Sequence, residues 1–482
     1  MKVLLVPAFN FVKGIHEPYV PAGLLTLQSL ESRVSNVQVD IAKLTAIESG
    51  ERFSTGTDVV QTFLNSVRID QYDCVGFSTV CNSVHYALEC AAIIKKTNPR
   101  VKLFVGGPYV TKLAQQVIDG FPFLDAVFVG EAEDSFSSFL ERCAGGVVDF
   151  NGIPGVWTPT AFGGCTSKTA NLDLLPMVTE ARDYVPWLDI ERGSRAEPLL
   201  PPIEATRGCP LQCSFCSTKQ VWGAKVRRKS ARRLMEEMSN LHRLTGDRVF
   251  SFTGDNVGVP RNPFLSFCSD LVEYRNPFYW VCSLKLDRMT RDDLSLMWQA
   301  GCRGMFVGIE TASQETLRLV NKAARLDHEI EGIKLAIDMG FMVETSFIIG
   351  FPWETEEELR STYNLHCEFL ALGAKRSQIG ILSPIPGTEI VVDANLISDS
   401  IKASFASDGI SLSEFARKSF KQFPKLFTHF SRYETPNVSP QIVRAYRDAG
   451  AHMAALREKY WRGNSTAYAN KIFNEATTSE HL

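Results

Sequence analysis

Three thiols lie close together in the segment RGCPLQCSFCSTK, residues 207–219. Three residues separate Cys209 from Cys213, and two separate Cys213 from Cys216. A structural zinc site needs four ligands and usually takes cysteines in paired CxxC halves, but no fourth candidate lies nearby in the sequence. A [4Fe-4S] cluster also has four corners, each normally held by a thiolate. Three thiolates would therefore hold such a cluster and leave one iron open to an added ligand.

The other nine of the twelve cysteines are scattered singly through apolar segments. This distribution predicts buried, reduced thiols and not a disulfide framework, because an unpaired cysteine packs as a small hydrophobic residue. We expect core positions for Cys74, Cys81, Cys90, Cys143, Cys165, Cys268, Cys282, Cys302 and Cys367.

The chain of 482 residues is too long for one ordinary core, so two domains and an appendage are expected. Its formal net charge of −3 gives no general attraction to nucleic acid or to an anionic membrane. The N-terminal apolar run, in MKVLLVP, is too short for a signal peptide, and no apolar stretch is long enough to span a bilayer. We therefore expect a cytoplasmic protein that neither binds nucleic acid nor inserts stably into a membrane.

Residues 1–145 alternate short apolar runs with amphipathic stretches, which predicts five strand–helix units. Units of this length favour an α/β domain with a doubly wound, Rossmann-like parallel sheet, whose ligand crevice lies at the carboxyl ends of the strands. The GxGxxG fingerprint of dinucleotide-binding domains does not follow the first strand, so a different flat and bulky ligand is expected. The predicted strand ends carry Pro7, Ser78, Thr79, Gly106, Gly107, Gly130 and Glu131.

The remaining sequence has three parts. Residues 146–200 are rich in Gly, Pro, Thr and Asn, which predicts an inter-domain linker. Residues 201–390 contain six strand–helix repeats, typical of a partial (β/α)6 barrel with reactive groups on loops at the carboxyl ends of the strands, and the cysteine loop follows the first of these strands. Residues 391–482 are expected to form a mostly helical region that caps the substrate. Its phenylalanines, at positions 415, 420, 423, 427 and 430, should pack on the barrel, with binding of a hydrophobic or anionic substrate as the alternative.

These motifs together resemble the radical S-adenosylmethionine (SAM) superfamily, in which a CxxxCxxC loop with an aromatic residue before its last cysteine follows the first strand of a partial barrel. Residues 1–145 are similar to the cobalamin-binding domain that one branch of this superfamily carries ahead of its barrel. The similar segments are PYVPAGLLTLQSLE, VGFST, VGGPYVT and VFVGEAE in the first domain, and FTGDN, CSLKLD, AGCRGMFVGIETASQETLRLVNK, FIIGFPWET and SPIPGTE in the barrel.

The resemblance implies that Cys209, Cys213 and Cys216 hold a [4Fe-4S] cluster whose open iron chelates the amino and carboxylate groups of SAM. Phe215 would lie near the adenine. In the family, a stretch at a strand end lies beside the methionyl amine of SAM. The matching residues here are Thr253, Gly254, Asp255 and Asn256, and they partly differ from the family's usual residues.

Three further residues match SAM contacts of the family. Ser283 and Lys285 match the ribose and carboxylate contacts, and Glu310 lies in the GIE motif. A structural ion pair is the alternative role for Glu310, and a solvated charge at a strand end is the alternative for Lys285.

The resemblance also implies a cobalamin site in the first domain. Ser78, Thr79, Gly106, Gly107, Gly130 and Glu131 match positions along the nucleotide tail, and Pro7 is a further candidate at the end of the first strand. The DxHxxG signature, whose His coordinates cobalt in other cobalamin enzymes, is absent, as it is in many members of this branch. His16 and Lys13 could approach the lower face of cobalt, although a lone His is rarely a ligand without a fixed partner.

The implied activity is methyl transfer to carbon or phosphorus of a small-molecule, lipid or peptide substrate. One SAM would yield a 5′-deoxyadenosyl radical, a second would methylate cobalamin, and the substrate radical would take the methyl group from methylcobalamin. A cyclisation, oxidation or rearrangement without methyl transfer is an alternative, and a non-catalytic cobalamin-binding sensor is an alternative of another class. A methylthiotransferase acting on transfer RNA is disfavoured, because the extra N-terminal cysteine triad of that group is missing.

Cluster reduction implies an electron donor, such as a flavodoxin or ferredoxin. The run KVRRKSARR, residues 225–233, is strongly basic and follows the cysteine loop. A solvated helix start is the default interpretation of such a run, and docking of an acidic donor onto Arg227 and Arg228 is a second hypothesis.

Overall fold

The computed structural model shows two compact units. The first unit comprises Met1–Pro202, Phe215–Arg228 and Ser383–Arg432, and the second comprises Ile203–Ser214, Lys229–Leu382 and Tyr433–Leu482. The structure describes residues 1–12, 15–44, 52–164, 168–194, 200–393, 410–430, 435–455 and 457.

The first unit contains the predicted doubly wound sheet. Its strand order is β2-β1-β3-β4-β5-β6, and all pairings are parallel except that between β5 and β6. The first five strands thus follow a standard doubly wound order, and the antiparallel edge strand β6 is an addition that the sequence pattern did not predict. The strands are β1 (Lys2–Val6), β2 (Gln38–Ile41), β3 (Cys74–Ser78), β4 (Lys102–Gly106), β5 (Ala126–Phe128) and β6 (Val156–Trp157).

Helices alternate with these strands. The predicted helix over 57–67 begins at Gly56, because the Thr55 hydroxyl accepts a hydrogen bond from the Asp58 amide at 3.1 Å and so caps the helix. The predicted helix over 21–33 ends as a 3₁₀ turn at Leu30–Arg33. The helices are α1 (Ala22–Ser29), α2 (Gly56–Ser66), α3 (Val84–Thr97), α4 (Ala114–Gly120), α5 (Glu133–Ala144), α6 (Tyr184–Ser194) and α7 (Thr218–Trp222).

The segment predicted as a linker, residues 146–200, folds as part of the first unit. It supplies β6 and α6, and the Arg182 guanidinium donates to Asp40 at 2.6 Å and to the Val39 carbonyl at 2.7 Å. The linker was predicted because the Gly- and Pro-rich segment lacks the periodicity of a helix or strand. A segment without such periodicity can still pack against a sheet, and this one does.

The second unit contains the six predicted barrel strands in consecutive order. Neighbours from β8 to β12 pair in parallel. Residues along β11 alternate between buried and half-buried, as expected for a strand with one face toward a core. The strands are β7 (Pro202–Glu204), β8 (Val249–Thr253), β9 (Tyr279–Ser283), β10 (Cys302–Glu310), β11 (Met342–Ile349) and β12 (Arg376–Ile381).

Helices follow the strands of the second unit. The predicted helical stretch over 313–339 is two helices, because Asn321 takes a left-handed conformation at φ 53° shortly after the first of them ends. Capping hydroxyls from Ser230, Thr290 and Thr355 begin three of the helices. The helices are α8 (Ala231–Thr245), α9 (Arg261–Glu273), α10 (Arg291–Gln299), α11 (Gln314–Leu319), α12 (Leu326–Asp338) and α13 (Glu356–Leu372).

The C-terminal region is divided between the units. Helices α14 (Glu389–Asp393) and α15 (Glu414–Gln422) belong to the first unit, whereas helical residues 440–455 belong to the second. The prediction of one capping region over 391–482 therefore does not match the compact units.

The phenylalanine-rich segment packs on the first unit, and its predicted packing on the barrel is wrong. Ring centroids of Phe423 and Phe121 are 5.2 Å apart, and those of Phe420 and His85 are 6.0 Å apart. These rings pack on an apolar surface formed by helices α3 and α4. Burial of their aromatic surface stabilises the segment in this position. The side chain of Phe430 lies outside the described part of the chain.

Within the described residues, no helix is both long enough and apolar enough to cross a bilayer.

Close packing in β3 gives a test of the first unit. A Cβ added at Gly76 would lie 2.0 Å from ring atom Cζ of Phe104. We expect Gly76→Ala to lower the free energy of unfolding by about 1–3 kcal/mol, the usual cost of overpacking a core, in urea titrations. Adding Phe104→Leu should recover part of the loss. The control Gly23→Ala, where the added carbon meets no atom within 4 Å, should not destabilise the protein, and equal stability of Gly76→Ala and wild type would contradict the packing.

Candidate cofactor-binding site

The cysteine loop follows β7, and its three thiols are half-buried. On the second unit, the Ser214 amide donates to the Val320 carbonyl at 2.9 Å and so fixes the loop after Cys213. On the first unit, the Cys216 thiol donates to the Thr218 hydroxyl at 3.2 Å, at the start of α7. The thiols are therefore accessible to an incoming metal and yet locally ordered.

Most other cysteines have a different environment. Cys74, Cys90, Cys143, Cys268, Cys282 and Cys302 are buried, Cys81 and Cys367 are half-buried, and Cys165 lies outside the described residues. Burial raises the pKa of Cys143 and of Cys81 to about 11, and it also raises the pKa values of Cys74, Cys90 and Cys302 well above the usual value. Thiols that keep their protons at neutral pH are poor metal ligands.

The donor chemistry of the three thiols fits an iron–sulfur cluster, which needs thiolates in an accessible loop. Among the described residues, no three His, Cys, Asp or Glu side chains are grouped closely enough to hold a metal ion. The assignment of Cys209, Cys213 and Cys216 as ligands therefore depends on their chemistry and their spacing along the chain.

The predicted SAM residues of the second unit lie along one edge of its sheet. Thr253 ends β8, Ser283 ends β9 and Glu310 ends β10, and these three strands are parallel neighbours. Gly254, Asp255 and Asn256 follow β8, and Lys285 follows β9. Phe215 belongs to the first unit.

Two buried oxygens at this edge fit a polar ligand. The Thr206 hydroxyl and the Asn256 Oδ1 atom are buried and have no hydrogen-bond partner in the structure. A Cβ at Gly254 would lie 2.1 Å from Thr206 Oγ1, so glycine is required for the close approach of these two strand ends. Buried acceptors without donors are costly, and a bound ligand with amine and hydroxyl groups, such as SAM, would satisfy them. The sequence prediction missed Thr206.

Glu310 and Lys285 already have partners within the second unit. Lys322 Nζ lies 2.6 Å from Glu310 Oε1, and Lys285 Nζ lies 2.9 Å from Asp287 Oδ2. Glu310 also takes a left-handed conformation at φ 72°, beside a register shift between β10 and β11. The structure thus contains the ion pair that was the alternative role for Glu310. Lys285 is not a solvated charge, because its side chain is largely buried and paired.

The predicted cobalamin residues also lie at adjacent strand ends. Ser78 ends β3, opposite Gly106 at the end of β4, and Gly130 follows β5. The Thr79 amide and hydroxyl both donate to the Gly106 carbonyl, at 2.9 and 2.7 Å. Gly107 has φ 104°, and a Cβ there would lie 2.8 Å from the Thr79 carbonyl oxygen. These residues form a glycine cradle that a bulky ligand can approach closely.

Two further polar side chains of the first unit are buried without hydrogen-bond partners in the structure. Ser83 Oγ, in the loop between β3 and α3, is fully buried and has no hydrogen-bond partner in the structure; the sequence prediction missed it. His16 is buried against Phe11, with ring centroids 5.4 Å apart, and neither ring nitrogen has a hydrogen-bond partner in the structure. Burial lowers the pKa of His16 to about 4, so its imidazole is neutral at pH 7. Pro7 is buried just after β1, and Lys13 lies outside the described residues.

Comparisons with known proteins agree with this division of sites. The model of the B12 binding domain matches residues 29–140, and that of the radical SAM superfamily matches residues 203–366. The chain thus contains a radical SAM superfamily domain and a B12-binding domain. It is therefore an enzyme whose cofactors are a [4Fe-4S] cluster, SAM and cobalamin.

Individual relatives of this radical SAM enzyme are distant. It is 26% identical over 407 residues to an uncharacterized methyltransferase of Pyrococcus horikoshii, covering 81% of this chain and 82% of the relative. It is 26% identical over 302 residues to the anaerobic magnesium-protoporphyrin IX monomethyl ester cyclase of Rubrivivax gelatinosus, covering 61% of this chain and 54% of the cyclase.

Among solved structures, the fold is similar to that of the radical SAM methyltransferase TsrM from Kitasatospora setae, determined with cobalamin and a [4Fe-4S] cluster bound. The TM-score is 0.61 at 18% identity, and the match covers 81% of this chain and 74% of TsrM. At this identity, the likeness concerns the fold alone.

In this radical SAM enzyme, Glu131 already has partners within the first unit. Both carboxylate oxygens of Glu131 accept from the Arg227 guanidinium, at 2.6 and 2.8 Å, and one also accepts from the Thr169 amide at 3.3 Å. This predicted cobalamin residue therefore takes part in a buried ion pair. A single sequence cannot reveal this pairing, because 96 residues separate the partners.

Three of the six cations in the basic run after the cysteine loop pair with two buried carboxylates. Arg227 pairs with Glu131, and Lys229 and Arg233 both pair with Glu237, at 2.7 and 2.9 Å. Arg227 therefore cannot serve as a surface cation for a docking electron donor.

A buried carboxyl beside the SAM edge gives a pH test. Glu329 on α12 accepts from the Leu286 amide at 2.8 Å through Oε1, whereas Oε2 is buried without a hydrogen-bond partner in the structure. Burial raises the pKa of Glu329 to about 7. The pKa of Glu329 is higher in the folded protein than in the unfolded chain, so the stabilisation from this group is complete below pH 4.5. As the pH rises through 7, the free energy of unfolding falls by roughly 3 kcal/mol.

We expect Glu329→Gln to remove this loss, because a neutral amide can still accept from Leu286. Urea unfolding at pH 6 and pH 8.5 should show a smaller difference in Glu329→Gln than in wild type. The exposed neighbour on the same helix gives the control Glu331→Gln, which should behave as wild type. Identical pH dependence in Glu329→Gln and wild type would refute the assignment.

Proposed function

We propose that this enzyme transfers a methyl group from SAM to carbon or phosphorus of a small-molecule, lipid or peptide substrate. The observation that carries the proposal is the presence, in one chain, of a three-thiolate loop and of a glycine cradle in a B12-binding domain. When bound, the reduced cluster and SAM supply a 5′-deoxyadenosyl radical that removes a substrate hydrogen, and methylcobalamin supplies the methyl group.

The loop would bind the cluster through three deprotonated thiols. Cys209, Cys213 and Cys216 can hold three corners and leave one iron for the amino and carboxylate groups of SAM. Their half-buried environment differs from that of the fully buried cysteines, whose pKa values are raised by burial.

The strand edge of the second unit would orient SAM. Thr206 Oγ1 and Asn256 Oδ1 are available acceptors, and Gly254 keeps backbone accessible beside them. The Lys322 ammonium lies 2.6 Å from Glu310 Oε1, so the orientation of that carboxylate is set before any ligand arrives. Prearranged polar groups of this kind reduce the ordering cost of binding.

The first unit would bind cobalamin along its cradle. Thr79 ties the ends of β3 and β4 together, while Gly107 allows the ligand to approach the backbone. His16 offers a neutral imidazole with both nitrogens unbonded in the structure, so it can meet the cofactor without losing a proton.

A second candidate function is a cyclisation, oxidation or rearrangement that keeps both cofactors but transfers no methyl group. The similarity to the magnesium-protoporphyrin IX monomethyl ester cyclase supports it. In either case, cluster reduction would need an electron donor such as a flavodoxin or ferredoxin. A non-catalytic cobalamin sensor would bind cobalamin without cleaving SAM.

Methyl-labelled SAM distinguishes these functions. We expect the anaerobically reconstituted, dithionite-reduced enzyme to release 5′-deoxyadenosine and, with cobalamin present, to transfer label to cobalamin and form S-adenosylhomocysteine. A control with Cys213→Ala should release no 5′-deoxyadenosine, because the cluster loses a ligand. Release of 5′-deoxyadenosine while the label stays in SAM and methionine would favour the second candidate, and intact SAM under reduction would indicate a sensor.

A further inference from the structure

The pair formed by Glu131 and Arg227 links two functionally different segments of the first unit. Glu131 directly follows Gly130 at the cradle, whereas Arg227 ends the segment that begins beside Cys216. We call residues 215–228 the cysteine arm. The arm contains Cys216, α7 and Arg227, and all of it belongs to the first unit.

Arg227 is held by more than one partner. Its guanidinium donates to both oxygens of Glu131, to the Thr169 carbonyl at 2.8 Å and to the Trp222 carbonyl at 3.1 Å. The side chains of Arg227 and Glu131 are only 5% and 1% exposed. A bidentate pair buried to this degree has a defined geometry, unlike a surface ion pair whose side chains move freely.

The contacts of Arg227 also order the arm itself. Trp222 is the last residue of α7, and its carbonyl accepts a hydrogen bond from the Arg227 guanidinium. This bond ties the end of the helix to the ion pair. Thr169 bonds to both members of the pair, through its amide to Glu131 and through its carbonyl to Arg227. The arm is thus fastened at its far end to the strand edge that carries the cradle.

We propose that Glu131 and Arg227 are positioning residues that fasten the cysteine arm to the cobalamin-binding unit and thereby hold Cys216 in place. The inference rests on the proposed function for its two cofactors. Glu131 has a structural task here, so cobalamin is bound by the cradle residues and not by this carboxylate. Partners that orient metal ligands typically change metal affinity by about 10- to 100-fold when they are lost.

The test uses Glu131→Gln, Arg227→Gln and the double variant that carries both changes. The double variant removes both charges of the pair, so neither is left buried without the other, and the test stays valid if either single variant folds poorly. Lys225→Gln is the matched control, because it removes an exposed cation from the same arm.

Two measurements separate positioning from cofactor contact. The first is the rate at which a chelator removes iron from the reconstituted cluster, and the second is the dissociation constant for hydroxocobalamin. We expect about 10- to 100-fold faster iron loss in the double variant, an unchanged rate in Lys225→Gln, and cobalamin affinity within about twofold of wild type in all variants.

Three results would overturn the proposal. Iron loss at the wild-type rate in the double variant would show that the pair does not hold the arm. A tenfold weaker affinity for hydroxocobalamin in Glu131→Gln, but not in Arg227→Gln, would make Glu131 a cofactor contact. Equal losses of both cofactors would show that the pair stabilises the whole unit. If wild type itself binds neither iron nor cobalamin, the proposed function fails, and that outcome is distinct from the other three.

Discussion

Parallel strands deliver their carboxyl ends to a common edge of a sheet, and both candidate sites depend on this constraint. In the first unit, it brings Ser78, Gly106 and Gly130 together although they are far apart in sequence. In the second unit, it places Thr253 and Ser283 at the adjacent ends of β8 and β9. The loops that follow these strands lie outside regular secondary structure. Their polar groups and glycine backbone must therefore find hydrogen-bond partners other than those of a sheet or helix.

Two kinds of buried polar group result, and they indicate different roles. Thr206, Ser83 and Asn256 have buried oxygens with no hydrogen-bond partner in the structure, which a bound ligand or an ordered water would satisfy. The pair of Arg227 and Glu131, in contrast, satisfies its charges within the first unit, as the proposed positioning role requires. A buried polar group without a partner in the structure is thus a candidate binding residue, whereas a paired group can be held in place for binding, as Glu310 is, or can position another segment.

Much of the fold was predictable because its signals are local. The alternation of apolar runs predicted the parallel sheet of the first unit and all six strands of the second, and the glycines at strand ends marked the cradle. Long-range pairing was not predictable: the bond between Arg227 and Glu131, and the packing of Phe423 on Phe121, join residues far apart in sequence. Thr206 was missed because a threonine next to a strand has no distinctive pattern, and only its burial without a partner singles it out.

The central claim is that three thiolates hold a cluster with one iron open to SAM. Mössbauer spectroscopy of protein reconstituted anaerobically with ⁵⁷Fe tests it most directly. The account predicts about four iron and four sulfide atoms per chain, and a change in the signal of a single iron site when SAM is added. A protein that takes up zinc and no iron, or a spectrum in which no iron site responds to SAM, would contradict it.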